Sequence, residues 1–178
     1  EDIEDCEPRI QELAQYNVKT ILDYSVEGKQ DGADFDQCLG KAVSSIERAK
    51  LDDNVPFCVI KLTGLIPFDL LQKVSAKEVL TNDENTEFLK GRNRVDIIAQ
   101  NAFNAGIPLM IDAEESWIQE AIDEIAHMLM TKYNLERPFV YNTAQMYRYD
   151  RLIYIKHLLD QAEEGGFYIG LKIVRGAY

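Results

Sequence analysis

The tightest restriction on the fold is a strict alternation between short, nearly continuous apolar runs and longer segments with helical spacing. The runs fall at residues 18–28, 56–65, 107–114, 138–147 and 167–178. A strand buried on both faces reads as a continuous apolar run, and strands separated by helices pair in parallel. Between the first two runs, Phe35, Leu39, Val43 and Ile46 repeat on one helical face, and Asp34 stands where its carboxylate can cap the first turn. The second run is followed by an excursion carrying Phe68, Leu71 and Val74, then by a helix over residues 87–105 that stops at Gly106. After the third, Ser116 and Gln119 have the S-x-x-Q spacing of a capping box, and Ile118, Ile122, Ile125 and Leu129 form an apolar stripe. A last helix starts near Asp150, passes Leu152, Ile155 and Leu159, and ends at Gly165 and Gly166. The pattern predicts one α/β domain over residues 1–178, with five parallel strands covered by helices.

Two architectures fit that alternation. A doubly wound sheet places a Gly-rich phosphate turn after its first strand, but "EGKQDGAD" follows here, and no G-x-G-x-x-G occurs anywhere in the chain. A (βα)8 barrel of the TIM type instead gathers polar side chains at the carboxyl ends of many strands. Those ends carry Asp23 and Glu27, then Lys61, then Asp112 and Glu114, then Gln145, then Lys172 and Arg175. Burying even a neutral polar group unpaired costs roughly 2–7 kcal/mol, so these groups are expected to face one another or a ligand. The barrel is the expected fold, and its strand-end rim is the expected site.

Composition removes several function classes. With 19 Lys+Arg against 31 Asp+Glu the formal net charge is −12, which repels a phosphate backbone, so nucleic-acid binding is not expected. The acidic runs "EDIEDCEP" and "NDENTE" read as solvated surface. Cys6, Cys38 and Cys58 are odd in number, far apart and without metal-ligand spacing, so neither a disulfide framework nor a zinc site is indicated and a reducing compartment fits. No apolar run approaches 18 residues and the amino terminus is acidic, which predicts a soluble chain. His127 and His157 fall within helical patterns and are assigned to the surface or core edge; Trp117, at a helix start, is assigned to packing.

Three stretches together carry a family resemblance. "DAEES" from Asp112, "YNTAQMY" from Tyr141 and "LKIVRGAY" from Leu171 resemble proline dehydrogenase, whose strands carry D-A-E, a strand-end glutamine and a [KR]-[LIM]-V-[KR]-G-A-Y signature in this order. "IKLTGL" resembles the family's lysine strand, and Asp23 with Glu27 has the spacing of its D-x-x-x-E. The resemblance implies an FAD-dependent (βα)8 barrel that oxidises L-proline to 1-pyrroline-5-carboxylate and passes electrons to quinone, with peripheral membrane contact. It assigns Lys61 to the active-site lysine, Asp23 to its carboxylate partner and Tyr178 to the tyrosine lining the proline pocket. Gln145 and Lys172 resemble the groups that contact the isoalloxazine, with Arg175 and Gly176 in the same cofactor-binding signature. Asp112 and Glu114 match the acid pair near flavin and substrate, and Glu27 the glutamate that closes the site. Family members often carry arginine where Lys172 stands; lysine keeps the charge and loses the planar fork.

A (βα)8 barrel typically needs about 250 residues, so the chain is expected to be the amino-terminal and central part of such a barrel and inactive by itself. The resemblance implies a bacterial cytoplasmic location or, in a eukaryote, the mitochondrial matrix or inner membrane. Two other readings use the same residues: a Schiff-base aldolase-type barrel with Lys61 as nucleophile, and a non-catalytic interaction domain using the acidic surface.

Overall fold

The structure is a computed structural model that describes residues 3–23 and 32–176. Its sheet contains strands β1 (Cys58–Ile60), β2 (Leu109–Ile111), β3 (Val140–Gln145) and β4 (Leu171–Val174). Helices α1 (Glu7–Ala14) and α2 (Gly32–Lys50) precede the sheet, and α3 (Phe68–Ser75) with α4 (Asn82–Ala105) links β1 to β2. The remaining crossovers are α5 (Gln119–Tyr133) and α6 (Arg151–Gly165). The strand order is β1-β2-β3-β4 and every pairing is parallel. Each βα unit therefore adds its strand to the same side with no reversal of order, which is barrel-type winding rather than doubly wound winding.

The described residues of the first expected strand form one parallel bridge, Leu22 to Cys58, and its second half lies outside the described residues. Four strands, not five, are formed among the described residues. The short strands reflect where the ladder ends: Asp112 N–H still donates to Ile60 O at 2.9 Å, and beyond it the chain turns away into α5.

Helix boundaries differ from the sequence expectation for local reasons. α4 begins five residues before residue 87, because Thr81 and Glu84 form a reciprocal capping box: Glu84 N–H donates to Thr81 Oγ1 at 3.3 Å and Thr81 N–H to Glu84 Oε2 at 2.9 Å. The acidic run "NDENTE" is thus the first turns of a helix, where negative charge complements the macrodipole. Ser116 and Gln119 do not form a capping box. Ile118 is the N-cap residue of α5 without a side-chain cap, and the Gln119 side chain is fully buried and used elsewhere. Asp34 stands within the first turn of α2, which starts at Gly32. In α6 the buried face is Arg151, Leu158 and Ala162, whereas Leu152 and Leu159 are exposed. Trp117 is 57% exposed rather than packed.

One core joins the outer face of the sheet to the helices. Cys58, Ile60, Leu109, Ile111 and Val140 pack against Ile46 of α2, Ile98 and Ala102 of α4, and Ile122, Ile125 and Leu129 of α5. Cys58 belongs to this packing; burial pushes its thiol up to about 12, so it stays neutral. Gly170 is required where β4 begins: a Cβ there would stand 2.4 Å from Val140 O and 2.9 Å from the Tyr141 ring. A side chain would force β4 away from β3 and disturb the register of every residue that follows.

Candidate active site at the carboxyl ends of the strands

Register arranges the rim. Ile60, Ile111, Asn142 and Leu171 form one paired row across the four strands and face the helices. Successive residues in a strand point to opposite faces, so the next row, Lys61, Asp112, Thr143 and Lys172, turns to the inner face. Thr143 pairs directly with Lys172 in the ladder. Lys61 Nζ lies 2.9 Å from Asp23 Oδ2 and 3.8 Å from Asp112 Oδ2, and Lys172 Nζ donates to Asp112 Oδ1. Asp112 is therefore held between two ammonium groups from strands on either side of its own.

Thr143 makes that span feasible. It lies in β3, between Asp112 and Lys172, and its hydroxyl donates to Ile111 O at 2.7 Å, leaving only a small side chain between the charged partners. Above this row, the Glu114 carboxylate accepts from Thr63 N–H at 3.2 Å and from the Thr63 hydroxyl. Gln145 Nε2 donates to the Glu114 carbonyl at 2.7 Å, and Arg148 Nη1 lies 3.4 Å from Gln145 Oε1.

Burial and charge act in opposite directions on the titrating groups. Burial disfavours the Lys61 ammonium, but the hydrogen bond it donates to Asp23 and the charges of Asp23, Asp112 and Glu114 outweigh it, holding the group above its ordinary value. Burial pushes the Glu114 carboxyl above the usual range, against the opposing hydrogen bonds from Thr63. The two lysines remain partly open, with side chains 28% and 31% exposed, so the cations present one hydrated side. Such a rim can bind an anionic or zwitterionic molecule, hold its charge against fixed carboxylates and keep protons at defined atoms.

The structure thus gathers Asp23, Lys61, Asp112, Glu114, Gln145 and Lys172 at one rim. Arg175 follows β4 on an exposed position, and Gly176 has a positive φ of 83°, a conformation that favours glycine. Glu27 and Tyr178 lie outside the described residues. Sequence inspection missed Thr63, Thr143 and Arg148. Thr63 carried a usable signal, since it follows the strand-end lysine by two residues in "IKLTGL".

A parallel sheet wound in one direction, with charged residues from successive strands meeting at its carboxyl edge, defines a barrel-type α/β protein with a candidate site at the strand ends. The sequence matches the family model described as proline dehydrogenase over residues 6–178, and the chain belongs to that family. It is 29% identical over 178 residues to the carbapenem antibiotics biosynthesis protein CarD of Pectobacterium carotovorum subsp. carotovorum, covering 100% of this chain and 47% of that protein. It is 29% identical over 219 residues to mitochondrial proline dehydrogenase 1 of Dictyostelium discoideum, covering 100% of this chain and 38% of that protein. The chain thus spans less than half the length of these two relatives. The fold is similar to that of proline utilization A from Bdellovibrio bacteriovorus inactivated by N-propargylglycine, with TM-score 0.73 and 16% identity over 100% of this chain and 20% of that one.

Proposed function

We propose that this chain forms the amino-terminal and central part of a flavin-dependent barrel that oxidises L-proline to 1-pyrroline-5-carboxylate. The observation that carries this reading is the row Lys61–Asp112–Thr143–Lys172, flanked by Asp23 and Glu114, at the strand ends of a chain in the proline dehydrogenase family.

The donor set suits a flavin. Lys172 and Arg175 supply positive charge from the last described strand and its exit, Gln145 supplies a buried amide, and Gly176 has no Cβ to limit approach to the backbone. These four would hold FAD, and when bound it supplies the hydride acceptor. Lys172 compensates negative charge on that group, Lys61 and Asp23 orient the substrate amine, and Asp112 keeps the two ammonium groups at a fixed separation. Glu114, its carboxyl raised by burial, holds the loop of Thr63 and narrows the access of water. Glu27 and Tyr178, which lie outside the described residues, keep the roles that the family resemblance gives them. Holding the donor carbon in one orientation is the larger part of what such residues contribute.

The carboxylates around Lys61 count against a Schiff-base role. A nucleophilic lysine needs a lowered pKa, and three carboxylates favour the protonated form. Electrons would leave to a quinone through peripheral contact with a membrane; among the described residues no helix is long and apolar enough to cross one. The relatives include a bacterial and a mitochondrial protein, and we assign this chain to one of those two settings, the bacterial cytoplasm first.

The test is a visible absorption spectrum of the purified full-length protein that contains this chain. Flavin bands that bleach on addition of L-proline are the expected result. Bands that proline leaves unchanged, or a borohydride-trapped lysine adduct without any flavin, would overturn the reading.

A further inference from the structure

Outside the rim, a buried polar cluster lies where α5, α6 and β3 meet. Asp123 is 7% exposed and accepts from Gln119 Nε2 at 2.8 Å, Asn142 Nδ2 at 2.8 Å and Arg151 Nη1 at 2.6 Å. Arg151, 2% exposed, also donates to Asp150. A pair this deep is expensive to desolvate, and a family fold could fill the same junction with apolar side chains. Its connections explain what it does here.

One arm runs from Asp123 through Gln119, whose Oε1 accepts from the Glu114 N–H at 3.3 Å. The other runs from Asp123 through Arg151 and Asp150 to Arg148, which grips Asp150 with Nη2 at 2.7 Å and Nε at 3.1 Å and reaches Gln145 Oε1 at 3.4 Å. Gln145 Nε2 then donates to the Glu114 carbonyl, which closes the circuit. The two arms therefore fix opposite ends of one contact at the rim. A carboxamide presents donor and acceptor on nearly identical shapes, so only its partners decide which end points where. Here a guanidinium claims the oxygen and a carbonyl claims the nitrogen.

We propose that Asp123, Arg151 and Arg148 are positioning residues that lock the Gln145 carboxamide in one of its two orientations and hold the Glu114 peptide against it. The inference uses the Proposed function only in taking Gln145 to be a cofactor-facing group. The locking itself is independent of the bound flavin, and it explains why a buried ion pair is kept behind the strand that carries Gln145.

The experiment reads the side-chain amide of Gln145 by nuclear magnetic resonance in 15N-labelled protein, the signal pair being assigned by its loss in Gln145→Ala. In the wild type the two amide protons should be well separated and slow to exchange. In Arg148→Met they should move toward the positions of free glutamine and exchange about tenfold faster, while the backbone amides of β3 stay in place. Asp123→Asn should transmit the same change from the far end of the circuit; if that variant does not fold, Arg148→Met decides alone. Unchanged Gln145 signals in folded Arg148→Met would overturn the proposal.

A second readout separates the two claims. The flavin midpoint potential should shift in Arg148→Met and show no additional shift when Arg148→Met is combined with Gln145→Ala. Altered amide signals with an unshifted potential would leave the positioning role standing and remove Gln145 from the flavin. A wild type that proline does not bleach would overturn the Proposed function, and the amide signals would still decide the positioning.

Discussion

The rim and the junction beneath it are both built from ion pairs, yet they bury charge to different depths. Lys61 and Asp23 keep 28% and 40% of their side-chain surface, whereas Arg151 and Asp123 keep 3% and 9%. A partly hydrated pair contributes little to stability and can exchange a partner for a ligand. A buried, multiply hydrogen-bonded pair cannot be rearranged without leaving an uncompensated charge. The difference separates two tasks: the junction holds geometry, and the rim is left free to respond to what binds.

The sharpest way to break that comparison is to cut the junction and measure stability. Asp123→Ala leaves Arg151 without its deepest partner and should cost about 3–5 kcal/mol in urea or thermal unfolding. A loss below 1 kcal/mol would show that the junction is no more rigid than the rim.

Lys172→Met removes a charge that the Proposed function puts at the flavin. It should lower the two-electron midpoint potential by about 30 mV or more, equivalent to about 1.4 kcal/mol, and slow reduction by proline. Spectroelectrochemical titration of the flavin-loaded protein checks this, and an unchanged potential would move Lys172 away from the cofactor.

A control lies outside both clusters. Thr81→Ala removes half of the capping box that starts α4 and should cost about 1 kcal/mol of stability without altering the flavin potential. A changed potential would mean that the rim senses general loosening of the helix layer.

The smallest effect is a pH dependence. Burial holds the folded Glu114 carboxyl above its ordinary 4.5, so the native state favours the neutral form more than the unfolded chain does. That contribution is fully present below the unfolded value and is lost as pH rises through the raised folded value. Glu114→Gln carries no such titration, so urea midpoints measured between about pH 4 and 7 should show the wild type losing ground to the variant over that window. Parallel profiles would exclude Glu114 as the group responsible.

What could be seen in the sequence follows the same division. The sheet and its winding were legible because strands buried on both faces leave apolar runs, as in residues 107–111, and the rim was legible because charge at strand ends conflicts with burial. The family resemblance joined Lys61, Asp112, Gln145 and Lys172 into one site, and register then brought them to one edge. The junction was invisible because its members, Gln119, Asp123, Asn142 and Arg151, come from three elements and look individually like solvated polar residues. Arg151 misled most: a helix that buries an arginine displaces its apolar stripe, which is why Leu152 and Leu159, expected inside, are exposed. Of the first strand, the described residues pair with the sheet by a single bridge, Leu22 to Cys58.

The central claim is that the Lys61 cluster is where proline is oxidised, and stopped-flow reduction of the bound flavin by saturating L-proline in Lys61→Ala of the full-length enzyme tests it most directly. Lys61 lies at a partly exposed position, so the variant should fold and carry flavin with wild-type absorbance. Bleaching should slow by about a hundredfold or more. Bleaching at the wild-type rate, with the flavin fully bound, would contradict the account.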